Sequence, residues 1–529
     1  SLETGSTILN DDYGITAEQT DFIAGPAVST AVNQDAAIFD GYTFIDANGN
    51  GLYDSGEDPL SGLTITLPQS TESPAMTNSS GYYQLRVEVA GPVSIMANLP
   101  DGYFRTTAGT VLTDSVLGLT QTVSFGYAPT DADFGVVYGT VYADGDHDGQ
   151  LDMGENGLRT VDVSSDLAAL SPVQTDDYGR YTLRYDDPGS ATITETNPAG
   201  YVSTTPDVVA TEVATGSSNG SPIDFGDFYG ILVTGQVFDD VNVNGVKDGG
   251  EGGLADAVLT GNVDSDTTAG DGLYALYLSV DGTNPVTIVE ADPPNYVSTV
   301  ALPGADMQVV DANTLRIPSP MAGQAYADAD FGDVLAGSVI TISGTVWDDN
   351  GVLGGTLANG LRDGGEPGLA GAVVSLSSGL TQTTAADGAF LLYATAGEAI
   401  VVTETNPAGY ISTNAIPGNG AVKVSHDVLQ VGPLDATSTS GDNLFGDVLL
   451  SSAAVITGTV FDDANENGVQ DDGEAGLPNV TVTLEFEGDS TIVVLTDAAG
   501  DYQFAVAPTA NVRLSSAGPG GNYYPTTPE

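Results

Sequence analysis

One glycine-led block recurs five times along this chain, and a fixed repeat decides architecture before any local pattern does. It reads GYTFIDANGNGLYDSGEDPLSGLTITL from Gly41, GTVYADGDHDGQLDMGENGLRTVDV from Gly139 and GQVFDDVNVNGVKDGGEGGLADAVL from Gly235. It returns as GTVWDDNGVLGGTLANGLRDGGEPGLAGAVVSL from Gly344 and GTVFDDANENGVQDDGEAGLPNVTVTL from Gly458. The successive spacings of 98, 96, 109 and 114 residues are each the size of a small domain.

Inside each unit the features keep one order. After the block comes a turn and strand (NSSGYYQL, DDYGRYTL, AGDGLYAL, AADGAFLL, DAAGDYQF), then ITETNPAGYVSTT, IVEADPPNYVST or VTETNPAGYIST. Units close on Phe134-Gly135, Phe225-Gly226, Phe331-Gly332 and Phe445-Gly446. Short alternating runs of Val, Thr, Tyr and Ile between Gly, Asn, Asp and Pro are half-buried strands, and no segment has a helical period of useful length. The expected fold is all-β: five tandem Greek-key β-sandwich domains in an elongated rod. The expected boundaries are an N-terminal arm at 1–40 and domains at 41–137, 138–229, 230–335, 336–450 and 451–529.

Within the first block, Asp46, Asn48, Asn50, Leu52, Asp54 and Glu57 stand at positions 1, 3, 5, 7, 9 and 12 of an EF-hand-type loop. Oxygen ligands on alternate residues wrap a hard cation, a glycine at position 6 permits the reversal, position 7 offers its carbonyl, and the last glutamate binds through both oxygens. The second loop is Asp144, Asp146, Asp148, Gln150, Asp152 and Glu155. The third is Asp240, Asn242, Asn244, Val246, Asp248 and Glu251, and the fifth is Asp463, Asn465, Asn467, Val469, Asp471 and Glu474. In the fourth, six extra residues between Asp349 and Glu366 leave Asn359, Leu361, Asp363 and Glu366 in register, so a remodelled site without a clear position 3 is expected. A lone match of this kind is as often an Asx-rich turn as a metal site; four full matches at one place in a repeat point to metal. All-oxygen ligands and a 12-residue reach favour calcium over magnesium.

Composition removes other classes. With 72 Asp and Glu against 10 Lys and Arg the formal charge is −62, which repels polyanions, so nucleic acid is excluded as a partner. Five divalent ions would bring the charge only to −52, so further cation sites or ambient salt are expected to share the load. Candidates are Asp176 and Asp177, Asp266 and Asp271, Asp497 and Asp501, and Asp224 with Asp227, most of them turn formers. The absence of cysteine removes disulfides and thiolate chemistry. No apolar run approaches a membrane span, so no membrane insertion is expected, and the opening at Ser1 reads as a mature, processed product. Two histidines, His147 and His426, and no G-x-S-x-G or H-E-x-x-H motif give no catalytic constellation, so no enzyme is expected. Trp347, at the place of Phe44, Tyr142, Phe238 and Phe461, reads as core.

The G-x-V-F-x-D-x-N-x-N-G-x-x-D-x-G-E-x-G-L block, the D-x-x-G-x-Y-x-F strand and the closing D-F-G together resemble the SdrD B-like repeat family over about residues 41 to 529. The resemblance implies a transthyretin-like sandwich, calcium in the loop, and service as a stalk in bacterial surface adhesins. Related Cna B-type pilin modules share E-T-x-x-P-x-G-Y, matched at Glu195, Glu404 and more loosely Glu290. In pilins that glutamate assists a Lys-to-Asn isopeptide bond. This chain has only Lys247 and Lys423, neither recurring across repeats, so no such bond is expected.

The fifth unit stops at Glu529 without the closing strand of the other four, while Thr20-Asp21-Phe22 resembles that missing motif. The expectation is an extracellular, cell-surface, calcium-stabilised subunit of a filament of copies of itself. It would be joined head-to-tail by donor-strand complementation, residues near Ile15 to Gly25 completing the fifth module of the next copy. The alternatives are a stretch cut from a longer tandem array and, in function, a calcium-rigidified adhesin stalk or ligand-binding module.

Overall fold

The computed structural model describes residues 36–487, 490–518 and 523–526, together with the strands Thr7–Asn10, Gly14–Ala17, Thr20–Ala24 and Val28–Ala31. All regular structure in these residues is β apart from three short 3₁₀ turns. The chain divides into two units. One holds Ser1–Leu232, Tyr277–Asn284 and Pro320–Ala325; the other holds Val233–Leu276, Pro285–Ser319 and Tyr326–Glu529.

In the first repeat the block's leading strand, Ala37–Ile45, is central. It pairs antiparallel with Tyr82–Val87 and parallel with Phe125–Pro129, which in turn pairs with Tyr103–Arg105. A second sheet runs Thr110–Ser115, Gly91–Ala97, Thr64–Thr66, Ala75–Met76. Alternation along Ala37–Ile45 turns Phe39 inward, where it joins Tyr83, Leu85 and Phe125 of its own sheet and Ile65, Val93, Ile95 and Val111 of the other in one buried cluster. Two sheets sharing a core make a β-sandwich, and the parallel pairing of first and last strands closes it as a Greek key.

The second and fourth repeats follow the same plan. Gly135–Ala143 pairs parallel with Phe225–Tyr229, and Val339–Asp348 pairs parallel with Thr439–Leu449, each flanked on its other side by the D-x-x-G-x-Y strand. In the third, Val237 lies opposite Phe331 in the same parallel register. In the fifth, Ala454–Thr459 pairs among the described residues with Asp501–Val506, and the second sheet is Thr491–Leu495, Thr481–Phe486, Val512–Ser516.

Two details differ from the sequence reading. The strand that closes the first repeat is Phe125–Pro129, whose Phe125-Gly126 takes the place of Phe225-Gly226; Phe134 instead lies just ahead of Gly135, the residue that starts the next leading strand. That strand, Gly135–Ala143, runs through the boundary expected at 137/138, and Ala37–Ile45 through the one at 40/41. The candidate donor segment falls on Gly14–Ala17 and Thr20–Ala24, which pair with each other as a hairpin inside the pairing of Thr7–Asn10 with Val28–Ala31; residues 18, 19 and 25 lie outside the described residues.

The glycine of each closing strand lies under the aromatic of the leading strand. A Cβ on Gly446 would meet the Trp347 ring at 2.3 Å, and one on Gly332 would meet the Phe238 ring at 2.6 Å. Trp347 is fully buried. Gly446→Ala should therefore cost about 1–3 kcal/mol of stability through overpacking. Denaturant titration followed by fluorescence of the chain's single tryptophan measures it.

Candidate metal centres

Each loop is held at its neck by the strands that flank it. Ile45, Ala143, Asp239, Asp348 and Asp462 donate their N–H groups to Asp58, Asn156, Gly252, Pro367 and Ala475, just beyond the last loop position. The position-1 aspartate is fixed again from the closing strand: Asp46, Asp144, Asp240 and Asp349 N–H donate to the carbonyls of Tyr127, Asp227, Asp333 and Asp447 at 2.7–2.9 Å. These four aspartates are fully buried.

The position-1 carboxylates gather the loop's own amides. Asp46 accepts from Asn50 and Gly51, Asp240 from Asn244 and Gly245, and Asp463 from Asn467 and Gly468. The position-12 glutamate spans the loop, Glu57 accepting from Ala47 and Asp54 and Glu155 from Gly145 and Asp152. Each carboxylate oxygen keeps lone-pair capacity after one such bond. Position-7 side chains Leu52, Val246, Leu361 and Val469 are exposed, as is Gln150. The alternating register of each loop thus brings its acids and amides to one place.

The charge at that place differs between loops. In the first, third and fifth, two asparagine amides bridge to the position-9 carboxylate: Asn48 and Asn50 to Asp54, Asn242 and Asn244 to Asp248, and Asn465 and Asn467 to Asp471. In the second, positions 3 and 5 are aspartates, and oxygens of Asp146, Asp148 and Asp152 lie within 4.8 Å of one another. Asp144, Asp146 and Glu155 form a second such group, and Asp144 Oδ1 is buried without a hydrogen-bond partner among the described residues. Like charges gathered this closely, in a chain of charge −62, fit a hard divalent cation held by oxygen.

The fourth loop keeps its frame despite the insertion. Asp349 accepts from Asn359 and Gly360, Asn359 bridges to Asp363, and Glu366 accepts from Gly351 and Asp363. The inserted residues fold back over the acids, with Thr356 N–H on Asp363 at 2.9 Å and Gly355 packed against Asp363 and Glu366. Burial raises Asp349 to about 7, against the lowering effect of Thr413 beside it. Thr106 stands in the same way beside Asp46. The threonine shared three residues beyond the tyrosine of the P-x-G-Y turn carried this signal in the sequence.

Sequence reading singled out Glu195, Glu290, Glu404 and Asp227 but not the pairs they form. Glu195 faces Asp227, Glu290 faces Asp333 with Asp292 close by, and Glu404 faces Asp447. All six glutamates and aspartates of these pairs are buried, and neither oxygen of Asp227, Asp333, Asp447 or Glu290 has a hydrogen-bond partner among the described residues. Burial first, and the facing carboxylate second, raises Glu195 to about 8, and both push Glu290 and Glu404 upward. Desolvation raises Asp227 to about 7. The first repeat has Ala97 and Tyr127 at the same registers, an apolar filling of the same space. The motif glutamates therefore meet carboxylates rather than lysines. Lys247 pairs with Asp330 at 2.8 Å, and Lys423, its pKa lowered to about 8 by burial, donates to Asn414 Oδ1 at 2.5 Å. Of the other acids weighed as cation sites, Asp176 and Asp497 accept backbone amides of their own turns, and Asp224 accepts from Thr140 N–H.

The SdrD B-like domain family model matches residues 38–124 and 454–528, in the first and fifth repeats, in line with the resemblance read from the repeat block. Serine-aspartate repeat-containing protein D of Staphylococcus aureus is 27% identical over 522 residues, covering 90% of this chain and 37% of that protein. Serine-aspartate repeat-containing protein F of Staphylococcus epidermidis is 24% identical, covering 94% of this chain and 26% of that protein. The chain thus spans about a quarter to a little over a third of their length. Among solved structures, the Bacillus anthracis TIE protein is similar at 14% identity and TM-score 0.18, over 84% of this chain and 76% of that one. The minor pilin GBS52 of Streptococcus agalactiae is similar at 12% and 0.15, over 36% of this chain and 96% of that one.

The buried acid pairs set a pH dependence. A carboxyl that ionises near pH 4 when unfolded but is held protonated in the fold contributes stability that falls as pH rises above 4, until the folded pKa is passed. In the presence of chelator the second to fourth repeats should be more heat-stable at pH 5 than at pH 8. Glu290→Gln should narrow that gap by raising the melting temperature at pH 8, as read by calorimetry.

Proposed function

We propose that this chain is an extracellular structural protein, a tandem array of β-sandwich repeats stiffened by calcium, serving as a stalk at a cell surface. The observation that carries this reading is the buried position-1 aspartate, where leading strand, closing strand and loop meet. When bound, calcium supplies the positive charge that the converging acids need. Asp46, Asn48, Asn50, the Leu52 carbonyl, Asp54 and Glu57 would hold it in the first loop, with their counterparts in the second, third and fifth. Asp349, Asn359, the Leu361 carbonyl, Asp363 and Glu366 would hold it in the fourth. Similarity to serine-aspartate repeat-containing proteins supports the setting, and no catalytic role is proposed: His147 and His426 are both packed against aromatic rings. No described helix is long and apolar enough to cross a membrane. Removing calcium should lower the midpoint of thermal unfolding and raise the radius of gyration, and adding it back should restore both. Calorimetry and small-angle X-ray scattering with and without EDTA read this out; unchanged values would remove calcium from the proposal.

A second reading makes the same chain a filament subunit, copies joined head-to-tail by donor-strand complementation. It is favoured by the leading strand Ala454–Thr459, which pairs on one side only among the described residues, whereas Ala37–Ile45, Gly135–Ala143 and Val339–Asp348 pair on both. Deleting residues 1–25 should abolish any fibres seen by negative-stain electron microscopy in calcium.

A further inference from the structure

The interior of the third repeat gathers three acids where the second and fourth gather two. Glu290 lies on Val286–Ala291 of one sheet, where strict alternation makes Val286, Ile288 and Glu290 the inward positions. Asp333 lies on the closing strand Asp330–Leu335 of the other sheet, in parallel register with Asp239 of the leading strand. Asp292 stands in the turn just beyond Val286–Ala291, where the second and fourth repeats have Asn197 and Asn406. One oxygen from each of Glu290, Asp292 and Asp333 lies within 4.8 Å of the other two.

Burial leaves the two strand acids nothing else to bind. Glu290 is 2% exposed and Asp333 0%, and neither oxygen of either has a hydrogen-bond partner among the described residues. The Ser298 hydroxyl, beside Asp333, donates instead to Asp292 Oδ1 at 2.6 Å, and Asn313 Nδ2 donates to the same oxygen at 3.1 Å. The third acid is thus held in place by two donors, while the first two face it with none.

A carboxylate taken out of water without donors or countercharge is strongly disfavoured. One shared proton can quiet two facing acids, which is the arrangement open to Glu195 with Asp227 and to Glu404 with Asp447. A third carboxylate adds a charge that this proton does not answer. A hard divalent cation answers all three at once. Opposed oxygens about 2.3–2.6 Å from a calcium ion stand about 4.6–5.2 Å apart, and the three acids already fall within that span.

We propose that Glu290, Asp292 and Asp333 bind one calcium ion between the two sheets of the third repeat. The site shares no side chain with the loop from Asp240 to Glu251, so it stands or falls apart from the loop ions. Because its ligands come from both sheets, the ion ties the halves of the sandwich together, a cross-link inside a chain that has no cysteine. The second and fourth repeats, with asparagine in place of the third acid, do not bind an ion there.

The test is equilibrium dialysis of the full chain against calcium at pH 8, with bound ions counted by elemental mass spectrometry. Asp292→Asn installs the residue that the neighbouring repeats carry at this place, so the fold accommodates it, and it should lower the count by one ion per chain. Glu290→Gln should do the same. In EDTA, Asp292→Asn should melt no lower than wild type by calorimetry, whereas calcium should raise its melting temperature less than it raises that of wild type. An unchanged ion count in either variant, or a loss of heat stability in Asp292→Asn that is equal with calcium and with EDTA, would overturn the proposal. Asp248→Asn, which alters the third loop alone, separates the two readings. If it leaves the count unchanged while Asp292→Asn lowers it, the buried site stands and the third loop falls; the reverse result keeps the loop and removes this site.

Discussion

The backbone N–H of the aspartate that opens each loop donates to the closing strand in the first four repeats, and much else hangs on that bond. It exists because first and last strands run parallel, a pairing that adjacent strands joined by a tight turn do not make. The strand that closes the sandwich also buries the carboxylate around which the loop folds. Loop and fold are thereby one cooperative element: a cation bound there acts on the last strand to be added as well as on the surface turn.

A buried carboxylate is costly without a proton, a cation or donors, and the repeats answer that cost in different ways. In the loops, backbone amides and asparagines gather round the acids, and the second loop leaves carboxylates crowded together. In the sandwich interior the second to fourth repeats set two acids face to face, whereas the first has Ala97 and Tyr127. The paired change of both positions keeps the volume filled and removes both charges, while replacing one acid alone by an apolar side chain would leave the other without a donor. Contacts at the loops vary as well: the Arg184 guanidinium lies over Phe134 and His147 stacks on Tyr277, whereas Val243 and Ala358 are buried in apolar clusters.

Much of this was legible in the chain. Period-2 alternation reports one buried face per strand, so the all-β class followed from the Val, Thr and Tyr runs, and the gathering of acids and asparagines in each loop followed from strict spacing around a glycine. The closing strand of the first repeat was misplaced because Phe134-Gly135 spells the same D-F-G as the second and third repeats, while the true strand, FGYAP, lacks the aspartate that the first repeat has exchanged for Tyr127. The acid pairs were visible as Glu195, Glu290 and Glu404, yet their partners lie about 30 to 45 residues further on, a separation set by topology rather than by any local rule.

The sequence by itself determined the repeat, the strands and the loop chemistry, because these depend on residues within a few positions of each other. Tertiary structure decided which carboxylates face each other, that Thr106 and Thr413 stand at the loop aspartates, and that loop position 4 meets the next repeat. Those contacts join residues on different sheets or in successive repeats, and their distances are fixed by how strands pack, which no spacing along the chain encodes.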